Sequence, residues 1–139
     1  MRVILDTNIL VAALRSNKGA SFALISQLPT PKFQPVITVP LYTEYQDALT
    51  RPENMTGAST REEILNFLRY FAQIAHRQEV FFLWRPWLKD PKDDMVLEAA
   101  VASQSHFIIT FNQKDFTDIA RFGIEVITPG EFIRKVEKK

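Results

Sequence analysis

Four carboxylates stand where apolar runs of this chain give way to polar ones. Asp6 directly follows Val3-Ile4-Leu5, and Glu44 lies about one turn into the segment that Pro40 opens after Val36-Ile37-Thr38-Val39. Asp94 heads the Ala-rich stretch from Met95 to Gln104, and Asp115 comes shortly after Phe107-Ile108-Ile109-Thr110. Singly, each has an ordinary explanation: Asp6, Asp94 and Asp115 suit helix caps or first-turn acids that complement the helix dipole, and Glu44 suits a solvated helix face. Jointly they pose an electrostatic problem. Two carboxylates about 4 Å apart repel by roughly 4 kcal/mol at an effective dielectric of about 20, so converging acids must take up protons or share a cation. The chain has no Cys, and His76 and His106 lack ligand spacing to one another. The donor set is then all oxygen, and a hard divalent ion, Mg²⁺ or Mn²⁺, is the expected cofactor. Such an ion beside a phosphodiester activates water and stabilises charge on the leaving oxygen, so the chemistry in prospect is hydrolytic strand cleavage. Asp6 and Asp94 are read as the central ligands, with Glu44 and Asp115 as further ligands or holders of metal-bound water.

The elements that must position these acids follow from the hydrophobic pattern. Val3–Leu5 reads as a strand handing over to a helix from about Asn8 to Arg15, and a short second helix runs from about Ser21 to Leu28, before Pro29-Thr30-Pro31. Within Phe33 to Val39 lies a second buried strand, followed by a helix carrying Tyr42, Glu44, Tyr45 and Leu49. Ser59/Glu62 and Thr60/Glu63 offer two overlapping capping boxes for a helix with Ile64, Leu65, Phe67, Leu68, Phe71 and Ala72 at the 3.6-residue period. A third strand is expected over Val80 to Trp84, a helix over Met95 to about Gln104 capped by Asp90 to Asp94, and a strand over Phe107 to Thr110. The last strand falls over Ile124 to Ile127, and Pro129 opens a terminal helix with Phe132, Ile133 and Val136 inward. Alternating strands and helices predict an α/β fold with a central, mostly parallel sheet covered by helices on both faces. In such sheets ligands bind beyond the carboxyl ends of the strands, and all four acids fall at that edge.

Composition sets the outer bounds. A chain of 139 residues with 46% hydrophobic and 24% charged content is expected to fold as a single domain, 1–139. A formal charge of +1 gives no overall attraction for a polyanion, so nucleic-acid binding would need a local basic surface. Asp6 interrupts the first apolar run before a signal-peptide core is complete, and no run approaches the roughly 18 apolar residues of a membrane span. A cytoplasmic protein without membrane contact is expected.

The ordered set Leu5-Asp6-Thr7-Asn8-Ile9, Glu44 after a strand, Asp94-Met95-Val96-Leu97-Glu98-Ala99-Ala100, and Ile109-Thr110-Phe111-Asn112-Gln113-Lys114-Asp115-Phe116 resembles the PIN-domain family over essentially the full chain. It looks most similar to PIN proteins of VapBC-type toxin–antitoxin modules. The resemblance implies a three-layer α/β/α fold, an acidic pocket for Mg²⁺ or Mn²⁺, and endoribonuclease activity on single-stranded RNA. It further implies a homodimer and an antitoxin partner. By position, Asp6, Glu44, Asp94 and Asp115 match the family's acids, and Thr7, Asn8 and Thr110 its supporting hydroxyl and amide positions. Asn112 departs from the acid that many members carry two residues after the threonine, which leaves Asp115 to supply the charge. Asp94 is preferred over Asp93 because Leu97 and Ala99 follow it at the family's spacing; Asp93 is then a cap or supporting acid, and Asp90 a turn former.

Arg15, Lys18, Arg85, Lys89, Lys92 and Lys114 are expected in loops or at helix ends near the acidic edge, as phosphate contacts or as plain solvated surface. Trp84 and Trp87 suit core or interface packing better than base stacking. Tyr42 and Tyr45 are candidates for a subunit contact. His76 is read as ending a helix and His106 as preceding a strand, both structural. Two other functions fit the same residues: a PIN module that binds nucleic acid or protein without turnover, for which Asn112 speaks, and a phosphatase or small-nucleotide hydrolase.

Overall fold

The computed structural model describes residues 1–55, 60–80, 88–117 and 119–137. Five strands, β1 (Arg2–Leu5), β2 (Gln34–Ile37), β3 (His76–Arg77), β4 (Phe107–Ile109) and β5 (Glu125–Ile127), form one sheet in the order β3-β2-β1-β4-β5. Every pairing is parallel, with Val3 opposite Pro35 on one side and Phe107 on the other. The helices are α1 (Thr7–Arg15), α2 (Ala20–Ser26), α3 (Val39–Leu49), α4 (Arg61–Ile74), α5 (Pro91–Ala102) and α6 (Pro129–Glu137). They flank the sheet as the strand–helix alternation predicts. Among the described residues no helix is long and apolar enough to cross a membrane.

Strand β1 is central and fully dressed on both faces: Val3, Ile4 and Leu5 are at most 1% exposed, as expected for a parallel strand read as one apolar run. The chain winds from β1 through β2 to β3, then crosses back to place β4 on β1's other flank. Strand order therefore reverses at the β1/β4 pair, and the crevice of an open α/β sheet opens at such a switch point. On one side of the sheet Phe132 of α6 meets Phe33 and Phe107 edge-on, with ring centroids 5.1 and 5.5 Å apart. Tyr45 of α3 meets Phe71 of α4 in a second edge-on pair at 6.0 Å.

Local signals explain most boundaries. Thr38 caps α3 by accepting from the Leu41 N–H, with Pro40 in the first turn where its missing N–H is harmless. The Thr60/Glu63 capping box on α4 is complete in both directions, whereas the Ser59/Glu62 box involves Ser59, which lies outside the described residues. The structure corrects three expectations and adds a strand. The third strand is His76–Arg77, paired with β2; Val80 is not in a strand, and 81–84 lie outside the described residues. With Ala75 capping α4, His76 is a strand residue whose Nε2 lies 3.0 Å from Gln78 Oε1, and not a helix terminus. Tyr45 is completely buried, its hydroxyl donating to the Leu5 carbonyl, so it is a core post and not a subunit contact. Finally α5 begins at Pro91, capped by Asp90, whose carboxylate accepts the Lys92 N–H at 2.9 Å. Asp93 and Asp94 thus lie inside the first helical turn.

Candidate active site at the carboxyl edge of the sheet

Asp6 leaves β1 in extended conformation and caps α1. Its Oδ1 accepts the Thr7 N–H at 2.8 Å, its Oδ2 accepts the Thr110 hydroxyl at 2.7 Å, and its own N–H donates to the Ile109 carbonyl at 3.0 Å. Thr110, fully buried at the end of β4, is the hub. Its hydroxyl also accepts Asn8 Nδ2 at 3.3 Å and the Asn112 N–H at 3.0 Å, while Asn8 Oδ1 accepts the Phe111 N–H at 3.4 Å. The supporting residues Thr7, Asn8, Thr110 and Asn112 are thereby gathered into one network that fixes Asp6 between two strands. Burial of the Tyr45 hydroxyl beneath it, together with the Asp6 charge, pushes that phenol far above its ordinary range.

The neighbouring acids act on Asp6 and on one another. Burial raises the pKa of Asp6, the hydrogen bonds from Thr110 and Thr7 oppose the rise, and the Asp115 and Asp90 charges add to it. Asp93 is pushed up to about 7, first by burial and then by Asp6, Asp90, Asp115 and Asp94. Asp94 has a different setting: it is 2% exposed and its Oδ1 accepts the Leu88 N–H at 2.8 Å. Asp93, beside it in the first turn, is only partly covered. Of the adjacent pair it is Asp93, only partly covered, that stands accessible in the field of Asp6 and Asp115; Asp94 is tied into the fold.

Glu44 lies on α3 with its side chain 13% exposed, its Oε1 3.7 Å from Lys92 Nζ, so α3 and α5 meet across this edge. Asp115 is exposed in a short 3-10 turn over Gln113–Phe116, its N–H bonded to the Asn112 carbonyl at 3.0 Å. Lys89, Lys92 and Lys114 are exposed and stand beside Asp90, Asp93 and Asp115 in the chain. Arg15 and Lys18 are not there. Arg15 ends α1, about 12 Å of helix rise from Thr7, because a helix following a parallel strand runs back toward the strand's start. There it donates to the Asn54 side chain and the Glu53 carbonyl, a structural role. Arg85, Trp84 and Trp87 lie outside the described residues. Tyr45 was missed as a support of the site, and the signal for it was its place one residue after Glu44, on the inward face of an amphipathic helix.

The donors exposed to an incoming ion are carboxylates, with helices α1, α3 and α5 directing their positive amino termini to the same edge. Among the described residues no three acids close on a single point. The set suits a hydrated hard ion such as Mg²⁺, which takes one or two carboxylates directly and reaches others through its waters.

A family model for the PIN domain matches residues 2–114. Curated protein sequences give no match. Among solved structures, VapBC-1 from nontypeable Haemophilus influenzae aligns with TM-score 0.63 and 18% identity, covering 94% of this chain and 99% of that one. VapBC2 from Rickettsia felis, bound to a DNA fragment from its promoter, aligns with TM-score 0.60 and 15% identity, covering 91% of this chain and 97% of that one. At these identities the two structures speak for the fold.

Proposed function

The chain belongs to the PIN-domain family, and from that premise and the edge just described we propose that it is a divalent-metal-dependent endoribonuclease acting on single-stranded RNA, the toxin of a toxin–antitoxin pair. The observation that carries this reading is the group of Asp6, Asp93 and Asp115 at the switch point of the sheet, with Asp93 pushed up to about 7 first by burial and then by the charges of Asp6, Asp90, Asp115 and Asp94. A module that only bound polyanions would gain nothing from clustering negative charge there. A hydrolase that recruits Mg²⁺ or Mn²⁺ needs it.

In this reading Asp6 and Asp93 would hold the ion, and Asp115 and Glu44 would orient its surrounding water. Asp94, the central ligand expected from sequence, also accepts the Leu88 N–H through Oδ1 and so secures the approach to α5. The ion supplies neutralisation of the phosphate and a more acidic water. The chain's own work is preorganisation: the Thr110 hydroxyl, itself held by Asn8, and the Thr7 N–H favour the charged form of Asp6 against burial and keep it aimed without reorganising when substrate arrives. Lys92, half-exposed against Glu44, and Lys114 beside Asp115 contact phosphates along the strand. The antitoxin and a second copy of the chain are its expected protein partners.

The test is cleavage of end-labelled single-stranded RNA and matched DNA by purified protein in Mn²⁺, Mg²⁺ or EDTA, with release from nucleotide monophosphates measured in parallel. Metal-dependent cutting of RNA that Asp6→Asn abolishes supports the reading. Release from monophosphates alone makes the protein a phosphatase. Tight Mn²⁺ and RNA binding without cutting makes it the binding module for which Asn112 speaks.

A further inference from the structure

An acidic edge creates a difficulty for its own substrate. Phosphate attraction normally dominates the affinity of a nucleic-acid site, yet around Asp6 the charges of Asp90, Asp93 and Asp115 oppose it. Much of the grip on a strand must then come from its uncharged parts, the bases. Phe111 is placed to supply it. Phe33, Phe71, Phe107, Phe116 and Phe132 are at most 7% exposed, whereas Phe111 is 48% exposed and makes no ring contact among the described residues. It immediately follows Thr110, which holds Asp6, and precedes the turn that carries Asp115. Its backbone is pinned on both sides, by the Phe111 N–H to Asn8 Oδ1 at 3.4 Å and the Asn112 N–H to Thr110 Oγ1 at 3.0 Å. A ring with two side-chain torsions on an immobilised backbone loses little entropy when a base covers it.

We infer that Phe111 is a stacking platform for an unpaired nucleobase next to the scissile phosphate, and that it sets how the strand is seated against Asp6. The inference rests on the nuclease reading for its substrate. It also gives a physical reason for single-strand preference: a base in a duplex already has both faces stacked. Aromatic–base stacking is worth about 1–3 kcal/mol per base, so Phe111→Ala should weaken RNA binding roughly 5- to 150-fold.

The experiment is a fluorescence titration of the full-length chain, in Ca²⁺ to limit cleavage, with single-stranded RNAs carrying 2-aminopurine at successive positions. Stacking predicts quenching at one position, retained in Phe111→Trp and lost in Phe111→Ala and Phe111→Leu, with the KM for RNA raised in the latter two and kcat little changed. Quenching that survives in Phe111→Ala, or that Phe111→Leu preserves, overturns the inference. So does a Phe111→Ala chain whose only change is dissociation from a protein partner or a second copy, which would make this ring an interface residue. The two readings fail separately: position-specific quenching without cleavage in any metal defeats the nuclease, and cleavage indifferent to Phe111 defeats the platform.

Discussion

At the amino edge of the sheet, Arg2 of β1 donates to the Ser103 carbonyl at 2.9 Å, Gln34 of β2 to the Ile74 carbonyl at 3.4 Å, and Arg15 at the far end of α1 to the side chain of Asn54. Each polar head there has a carbonyl or amide to hold. At the carboxyl edge, Asp93 lies in the fields of Asp6, Asp90, Asp115 and Asp94, and Lys92 stands 3.7 Å from Glu44. The same sheet therefore has one end arranged for stability and one end where stability is given up. Like charges brought together are costly in a folded protein, and their concentration at the switch point marks that edge as the candidate site.

The comparison can be broken most directly at Asp6. Asp6→Asn should lower cleavage by roughly 10²-fold or more, as the loss of a preorganised charged group does, while thermal melting of the metal-free protein stays level or rises because a buried charge is removed. A variant that loses both activity and fold would place Asp6 with the stabilising residues. Next come the adjacent acids. Asp93→Asn should lose cleavage and keep its melting temperature, whereas Asp94→Ala should lose about 1–3 kcal/mol in denaturant titration, the cost of leaving the buried Leu88 N–H unmet. Thr110→Val, which keeps shape and removes the hydroxyl that Asp6 Oδ2 accepts, should cost about 2 kcal/mol and reduce activity in the same protein.

The charge imbalance also predicts a pH dependence. Asp93 has its pKa raised from 3.8 to about 7, and Asp6 is raised as well. Between those values the folded chain keeps protons that the unfolded chain has released. The stability these groups contribute is therefore present below pH 3.8 and is lost as pH rises through about 7. Metal-free protein should melt lower at pH 8 than at pH 6 by an amount that water at the partly exposed Asp93 keeps modest, and Asp93→Asn should flatten the slope. Adding Mg²⁺ at pH 8 should restore the loss. The smallest effect belongs to the other end of the molecule: Arg15→Ala should cost under about 1 kcal/mol and leave cleavage unchanged.

How far the sequence revealed this arrangement differs between fold and site. The strands that are short apolar runs, β1, β2, β4 and β5, and the helices with a strong period or an explicit cap, such as α4 with Thr60/Glu63, were legible because local pattern and tertiary burial agree there. The third strand was not, since His76–Arg77 is two residues long and carries no apolar signature; only its pairing to β2 makes it a strand. At the site, Asp6 and Thr110 were legible as residues ending buried strands. The different burial of Asp93 and Asp94 was not, because it turns on where α5 starts, and Pro91 begins the helix four residues before the Ala-rich pattern does. Likewise Arg15 looked close to the acids along the chain, but the direction of α1 carries it away.

The most direct test of the central claim is a Mn²⁺ titration followed by electron paramagnetic resonance on the wild-type chain, Asp6→Asn, Asp93→Asn and Asp94→Ala. The wild type should bind the ion, with affinity reduced roughly 10-fold or more in Asp6→Asn and Asp93→Asn and retained in folded Asp94→Ala. Equal binding by wild type and Asp93→Asn, with loss only in Asp94→Ala, would contradict the claim.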